Sequence, residues 1–392
     1  MKTLNFKIKF VTIAVGIILL SSGCSSLPVR GARNYFDNLY KRIPYKTDGS
    51  YRVIDIFYAT DREILGQASS SPEFGKKIAK EMTYGQLDVK IDPGIRIGTM
   101  LPNKLKRHGI IGVQDVGTLD NDTFIKKLSE AVQASPHKSL MILVFGYKDN
   151  FEATAIKASY FTYILDINTP VLLFDWPGDQ NVDIEGYLKA RDYAKESGPH
   201  LGKLLADIID KVKYEKLWIN ASSLGCQVVC DAFDYMYDIP SLADPETEID
   251  HVVFAAPDVG QKEFDEKFKD EISALSKKLT TYVSSNDDAL LMSAFITGEH
   301  KLGRQSSKKQ DQMDGAKDML YLKSLAPDRI TLIDVTPINQ ASYGHGYYLE
   351  SPEFYDDFYA RMLDGAPNVN RRLYLMKYKG NTDYWVLQGG NK

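Results

Sequence analysis

The sequence predicts an α/β fold: a mostly parallel central sheet with helices on both faces, entered through an N-terminal antiparallel meander. Three observations predict it. Short continuous apolar runs at 139–145, 170–175, 217–219, 251–256, 279–285 and 328–335 alternate with longer helical stretches, the pattern of strands buried on both faces and joined by crossover helices. The stretch 51–60, Tyr-Arg-Val-Ile-Asp-Ile-Phe-Tyr-Ala-Thr, instead alternates and is rich in β-formers, which predicts an exposed-face strand. Between 217 and 233 an apolar run passes through small residues into a helical pattern, with Ala221-x-Ser223-x-Gly225 at the joint. This is one residue short of Gly-x-Ser-x-Gly, the turn that exposes a serine hydroxyl between strand and helix.

In chain order, 51–60 is closed by Asp61-Arg62. A second strand spans 84–91, and Asp92-Pro93-Gly94 turns the chain into 95–98, completing a meander. Residues 120–134 place Phe124, Ile125, Leu128 and Val132 on one helical face. Helices are also expected over 151–165, 187–212, 227–233 and 262–276. The stretch 297–328 is a long polar insertion carrying Lys301, Arg304, Lys308, Lys309 and Lys317. Such a loop is a solvated surface or, in compact domains, a lid. Beyond Pro367, residues 371–378 read as an edge strand of a C-terminal extension, 367–392.

The N-terminus belongs to targeting rather than fold. Lys2, Lys7 and Lys9 precede an apolar run, 10–20, and Leu20-Ser21-Ser22-Gly23-Cys24 resembles a bacterial lipoprotein cleavage site. Residues 1–23 are therefore expected to be a signal peptide, with Cys24 lipidated and the protein held at the cell envelope, on the outer membrane or the periplasmic face. A plain signal peptide fits the same residues except for the cysteine. Residues 24–48 read as a basic tether to a domain over 49–366. The 392 residues, 44% hydrophobic and 26% charged, suit a globular chain, and a net charge of −4 without long basic blocks excludes nucleic acid as main partner. Cys226 and Cys230, one helical turn apart, read as small core residues; without further ligands nearby they make no metal site.

A serine nucleophile needs a base to take its proton and an acid to orient the base. Of six histidines, His108, His137 and His200 precede Ser223, His251 starts a strand, and His300 sits in the polar insertion. His345 follows the last strand, in Tyr343-Gly344-His345-Gly346, where glycines leave room for a projecting ring. Two acids stand at strand ends. Asp287 closes the second strand after the elbow and is the preferred partner; Asp258 closes the first and would line the site or support a loop. Two backbone amides must hold an oxyanion. Leu224 follows the serine, and Gly146-Tyr147 follows strand 139–145, so the Leu224 and Tyr147 N–H groups are the candidates. Gly146, Trp176 and Asp258 are candidates to wall the crevice. The same residues at the elbow also fit an ordinary strand-turn-helix with a capping serine.

Taken together, these motifs resemble those of a bacterial group of esterase/lipase-like α/β-hydrolase proteins of largely unknown function. That family carries Phe-Tyr-Ala-Thr-Asp-Arg, Tyr-Gly, His-Gly-Tyr-Asn, Ser-Trp-Pro, Ala-His-Ser-Met-Gly, Ala-Pro-Asp-Val, Ser-Asn-Asp-x-Ala-Leu and Gly-His-Ser-Tyr in this order. Here they correspond to 57–62, 84–85, 145–148, 175–177, 221–225, 255–259, 285–290 and 344–347. The resemblance implies the α/β-hydrolase fold and a Ser223–Asp287–His345 triad. The chain departs from it at Phe145 and Lys148 in the oxyanion loop and at Ser222 before the serine.

The expected protein is thus an envelope-anchored serine hydrolase, cleaving an ester-type bond of a small-molecule or lipid-like substrate through an acyl-enzyme, with no metal or cofactor. Its rival is a lipid-anchored α/β-hydrolase-fold protein that has lost the chemistry and acts as a binding or assembly factor. Acyl transfer would use the same residues with another acceptor. Substrate identity and oligomeric state are not written in the motifs.

Overall fold

The structure is a computed structural model, and it describes residues 42–68, 71–97, 102–242, 249–304, 329–363, 373–378 and 382–389. The expected signal peptide, Cys24, most of the tether, residues 305–328 of the insertion, and the start of the tail lie outside them. Residues Tyr45–Lys392 form one compact unit; of a separate unit, Met1–Pro44, only residues 42–44 are described.

The chain enters through β1 (Lys46–Asp48), β2 (Tyr51–Ala68) and β3 (Ser71–Ile91), then helix α1 (Pro102–Arg107) and β4 (Ile111–Leu119). Alternation of helix and strand follows: α2 (Asn121–Ala134), β5 (Ser139–Val144), α3 (Phe151–Leu165), β6 (Val171–Asp175), α4 (Ile184–Lys211), β7 (Lys216–Ser222) and α5 (Gly225–Tyr237). Next come β8 (His251–Ala255), a helical segment ending in α6 (Lys269–Leu275), β9 (Leu279–Val283), α7 (Asp288–Thr297) and β10 (Ile330–Asp334). Helices α8 (Tyr347–Glu350) and α9 (Pro352–Leu363) precede β11 (Leu373–Tyr378) and β12 (Thr382–Leu387).

All strands join one 12-stranded sheet in the order β11-β12-β10-β9-β8-β7-β5-β6-β2-β3-β4, with β1 on β2. From β5 to β10 the neighbouring pairs are parallel, and β2, β3 and β4 form the antiparallel meander. Strand order reverses between β7 and β5, and the crevice beyond the carboxyl ends at such a reversal is where open α/β sheets bind ligands. The period-two side-chain rule divides the core. Leu140, Ile142, Val144, Leu217, Ile219 and Ala221 face α2, α4 and α5. Met141, Leu143, Phe145 and Trp218 face α3 and α9.

The fold class agrees with the expectation, but several elements do not. Strand β2 does not close at Asp61-Arg62. It continues to Ala68 and pairs with an equally extended β3 across register shifts at Thr60, Arg62 and Ile64. Both charges are buried and paired, so they do not mark an exit to solvent. The third meander strand is Ile111–Leu119, residues 95–97 are not in a strand, and residue 98 lies outside the described residues; β4 aligns eight positions with Tyr84–Ile91. The expected helix over 262–276 forms over 261–275 but carries a π-helical turn, Phe264–Phe268, between Gln261–Glu263 and α6. The tether's last residues are β1, paired with Tyr51–Val53. Residues 298–304 are not a solvated loop: Lys301 and Leu302 are buried and Lys301 bridges Gly260. The tail contributes two strands, not one, and β12 lies inside the sheet between β10 and β11.

Candidate active site

Three strand ends and one loop converge on Ser223. Strand β7 carries Ala221 between Val144 and Phe254 in ordinary extended backbone, so alanine there needs no glycine. The turn comes at Ser223 itself, whose φ is +54°. A non-glycine residue in this region is strained and persists where the surroundings fix it. They do so through two bonds to the next strand: Ser223 N–H donates to the Ala255 carbonyl (3.1 Å), and Asp258 N–H donates to the Ser223 carbonyl (3.1 Å). At Gly225 an added Cβ would stand 2.4 Å from the Val144 carbonyl, so α5 can start this close to β5 only on a glycine. The serine turn is therefore imposed by packing on both sides.

His345 follows a 3-10 turn, Ser342–Gly344. Its Nε2 lies 2.9 Å from Ser223 Oγ, and its Nδ1 lies 2.8 Å from Asp287 Oδ2. With Nδ1–H donating to the carboxylate, Nε2 is left to accept from the serine hydroxyl. Asp287 is fully buried and does two jobs. While Oδ2 meets the imidazole, Oδ1 accepts from Leu290 N–H (2.9 Å) and caps α7. Burial pulls the His345 pKa down, but the charge and hydrogen bond of Asp287 outweigh it and hold the ring above its ordinary value. The two loops are tied together by amides. Asn339 Nδ2 donates to Ser284 Oγ (2.9 Å) and to the Gly344 carbonyl (2.5 Å), and Asn286 Nδ2 donates to the Asn339 carbonyl (2.9 Å).

The loop after β5 lies directly against the serine. An added Cβ at Gly146 would stand 2.6 Å from Ser223 Cβ and 3.1 Å from Leu224 N, so glycine is the residue that allows this approach. Among the described residues neither the Leu224 nor the Tyr147 amide enters a backbone hydrogen bond. Of the two, Leu224 N lies where Gly146 and Ser223 meet. The loop is held from behind. Trp176 Nε1 donates to the Phe145 carbonyl (2.8 Å), and Lys148, at φ +90°, donates its N–H to the Gly178 carbonyl (2.8 Å). The Tyr147 hydroxyl donates to the Asn181 carbonyl.

Beneath the loop lies a residue that the sequence reading used only as a strand terminator. Arg62, 1% exposed, places Nε 2.5 Å from Asp175 Oδ2 and Nη1 2.5 Å from Asp179 Oδ1. Its Nη2 donates to the Asp149 (3.0 Å) and Trp176 (2.7 Å) carbonyls. One planar fork thus fixes the far end of the loop after β5, at Asp149, to the end of β6. The signal was present, since Arg62 ends the Phe-Tyr-Ala-Thr-Asp-Arg motif. These partners, however, stand 87 to 117 positions away.

The remaining candidates separate by role. Gly146 touches the serine. Trp176 is buried and supports the loop from behind, so it does not wall a crevice. Asp258 supports its surroundings: its carboxylate accepts from Ser293 Oγ (2.6 Å) and Tyr187 OH (3.0 Å), and the buried Lys301 Nζ lies 3.1 Å away. The departures from the family motifs are structurally mild. Phe145 fills the core on the α3 side, and Ser222 is buried. The Lys148 side chain is exposed. Cys226 and Cys230 are free, buried thiols whose pKa values burial pushes well up. Among the described residues no cluster of His, Cys, Asp and Glu could hold a metal ion.

A hydroxyl, an imidazole and a carboxylate in sequence can activate an oxygen nucleophile. Comparison with known proteins finds a family. The model of a family described as "Alpha/beta hydrolase of unknown function (DUF900)" matches residues 120–363. A search among curated proteins finds no match. Among solved structures, the chain is similar to esterase B from Lactobacillus rhamnosis, crystallised with a tributyrin phosphonate inhibitor. The identity is 10%, the TM-score 0.35, and the match covers 85% of this chain and 91% of that one. It is also similar to ESTFA in an Fe-lacking apo form, at 10% identity and a TM-score of 0.32, covering 88% of this chain and 95% of that one.

Proposed function

Because this chain belongs to that alpha/beta hydrolase family, we propose that it is an envelope-anchored serine hydrolase that cleaves ester-type bonds through an acyl-enzyme. The observation that carries the proposal is the continuous hydrogen-bonded relay Ser223–His345–Asp287. Ser223 Oγ attacks the ester carbonyl carbon while its proton passes to His345 Nε2. The Leu224 and Tyr147 amides hold the resulting oxyanion. The imidazolium, steadied by Asp287, then gives its proton to the leaving alkoxide as the ester C–O bond breaks. In the second half His345 takes a proton from water, the hydroxide attacks the acyl carbon, and Ser223 leaves with that proton. The rival reading, a fold retained for binding alone, drew on the substituted oxyanion loop. The Ser223–His345 bond favours the hydrolase.

The test is labelling of the full chain in expressing cells with a fluorophosphonate, followed by peptide mapping. The label is expected on Ser223, in the membrane fraction, and absent from Ser223→Ala. Cys24→Ser is expected to move labelled protein to the soluble fraction. Folded protein that takes no label at Ser223, beside a labelled control hydrolase, sinks the catalytic reading. Label that stays with the membrane in Cys24→Ser sinks the anchor alone.

A further inference from the structure

Two stretches beside the relay have no part in it: the end of β8, Ala255-Ala256-Pro257-Asp258, and Tyr347, which follows His345-Gly346. They meet at one hydrogen bond. The chain leaving β8 turns at Ala256, whose φ is +49°, a conformation that a residue with a Cβ rarely holds unless its surroundings impose it. The turn has a task. It lets its flanks reach Ser223 from both ends, the Ala255 carbonyl accepting from the Ser223 N–H and the Asp258 N–H donating to the Ser223 carbonyl. Ser223 is itself a non-glycine residue at φ +54°, so its turn stands only while the turn at Ala256 stands. Two strained turns lock each other, and whatever fixes Ala256 also fixes Ser223.

The group that fixes Ala256 is the Tyr347 hydroxyl. The Tyr347 side chain is 1% exposed, and its ring meets Phe354 edge-on with centroids 6.0 Å apart. Its oxygen reaches between β8 and β9 just past Ala255 and Tyr282, the last aligned pair of the two strands. There it accepts from the Ala256 N–H (2.7 Å) and donates to the Tyr282 carbonyl (3.0 Å). The same N–H also reaches the Tyr282 carbonyl, but at 3.2 Å, so the hydroxyl supplies the shorter bond. Burial pushes the Tyr347 pKa well up, and the oxygen keeps the proton that it donates. We infer that Tyr347 is a positioning residue: its hydroxyl holds the Ala256 turn, and through that turn keeps Ser223 Oγ at the spacing His345 needs. Tyr347 lies on the same short segment as His345, so one side chain ties the two partners of the 2.9 Å Nε2–Oγ bond to each other. This role rests on the hydrolase reading.

Tyr347→Phe keeps the ring and removes one oxygen. The purified full chain and the variant are compared in the rate constant and the final stoichiometry of fluorophosphonate labelling at Ser223, and in kcat and KM on p-nitrophenyl acetate. The variant is expected to reach the same stoichiometry at least about tenfold more slowly, because a small misplacement of a reacting atom costs up to about a hundredfold. Its kcat is expected to fall by the same factor, with KM changed by less than about twofold. Glycine holds a left-handed turn without strain, so adding Ala256→Gly is expected to bring the labelling rate back to within about threefold of the unchanged chain. A merely structural role would lower the stoichiometry and leave the rate constant of the folded fraction intact; that outcome overturns the proposal, as does an unchanged rate. Slow labelling that Ala256→Gly does not restore overturns it as well. Failure of Tyr347→Phe to fold counts against it too, since the hydroxyl would then hold the sheet rather than the serine. An unchanged chain that takes no label at Ser223 removes the hydrolase reading itself, whereas a labelled chain with an equally fast variant removes only the role of Tyr347.

Discussion

At the scale of single residues, Asp287 concentrates the most consequence. Its two oxygens serve different masters, one orienting His345 and one capping α7. Asn replaces Asp at a helix N-cap with little loss, so Asp287→Asn should leave α7 in place while removing the charge. What it removes is the cause that lifts the His345 pKa against burial. His345 acts as a base only when neutral. In the unchanged protein kcat/KM on a soluble ester should therefore rise with pH through an apparent pKa above the ordinary imidazole value of 6.5. In Asp287→Asn the burial contribution remains and the raising contribution of the pair is gone. The acid limb of the residual activity should then move to lower pH, and kcat should fall by up to about ten-thousand-fold. An unmoved acid limb would mean that some other group titrates, and would remove His345 from the role of base.

At the scale of elements, the oxyanion loop is held by a neighbour that makes no contact with the serine. Arg62 joins β2 to the end of β6 and to the far end of the loop, at Asp149, through two carboxylates and two carbonyls. Taking away one member of a buried ion network leaves uncompensated charge, at a cost of about 3–5 kcal/mol. Arg62→Met should lower unfolding stability in urea by that amount, since Asp175 and Asp179 would stay buried without their cation. A loss under about 1 kcal/mol would show that the carboxylates find other partners. This element also marks where sequence reading stops. Strands β5 to β10 were legible because burial on both faces leaves an unbroken apolar run. Ser223, Asp287 and His345 were legible because each stands just past a strand end, in chain order. Arg62 and Lys301 were not, because a charge looks the same in sequence whether water or a distant carboxylate surrounds it. The Asn339 and Asn286 ties were hidden for the same reason, their partners being fixed only when β9 and β10 lie side by side.

At the scale of the whole molecule, the tail alters where the domain ends. Read from composition, residues after 366 are an appendage, and only one strand of the tail shows a β pattern. In the fold β12 pairs in parallel with β10, through Ile333 with Trp385 and Asp334 with Val386, and β11 closes the sheet beyond it. Leu387 is fully buried in the core on the α3 and α9 side. The reason the sequence hides this is physical: β10 is short, so its partner needs only a few alternating residues, too few to stand out from a polar tail. The consequence can be measured. A chain ending at residue 366 would lose β11 and β12 and expose the hydrogen-bonding edge of β10, a template for aggregation. Losing Leu387 from the core alone removes about 2 kcal/mol, which lowers the melting midpoint by about 3 °C in a domain of this size. The truncated chain should therefore melt earlier and form larger species on gel filtration. Because β10 leads into the loop that carries His345, Ser223 labelling should fall alongside. A truncated chain with an unchanged midpoint and a monomeric profile would place the domain boundary back at 366 and make β11 and β12 dispensable to the sheet.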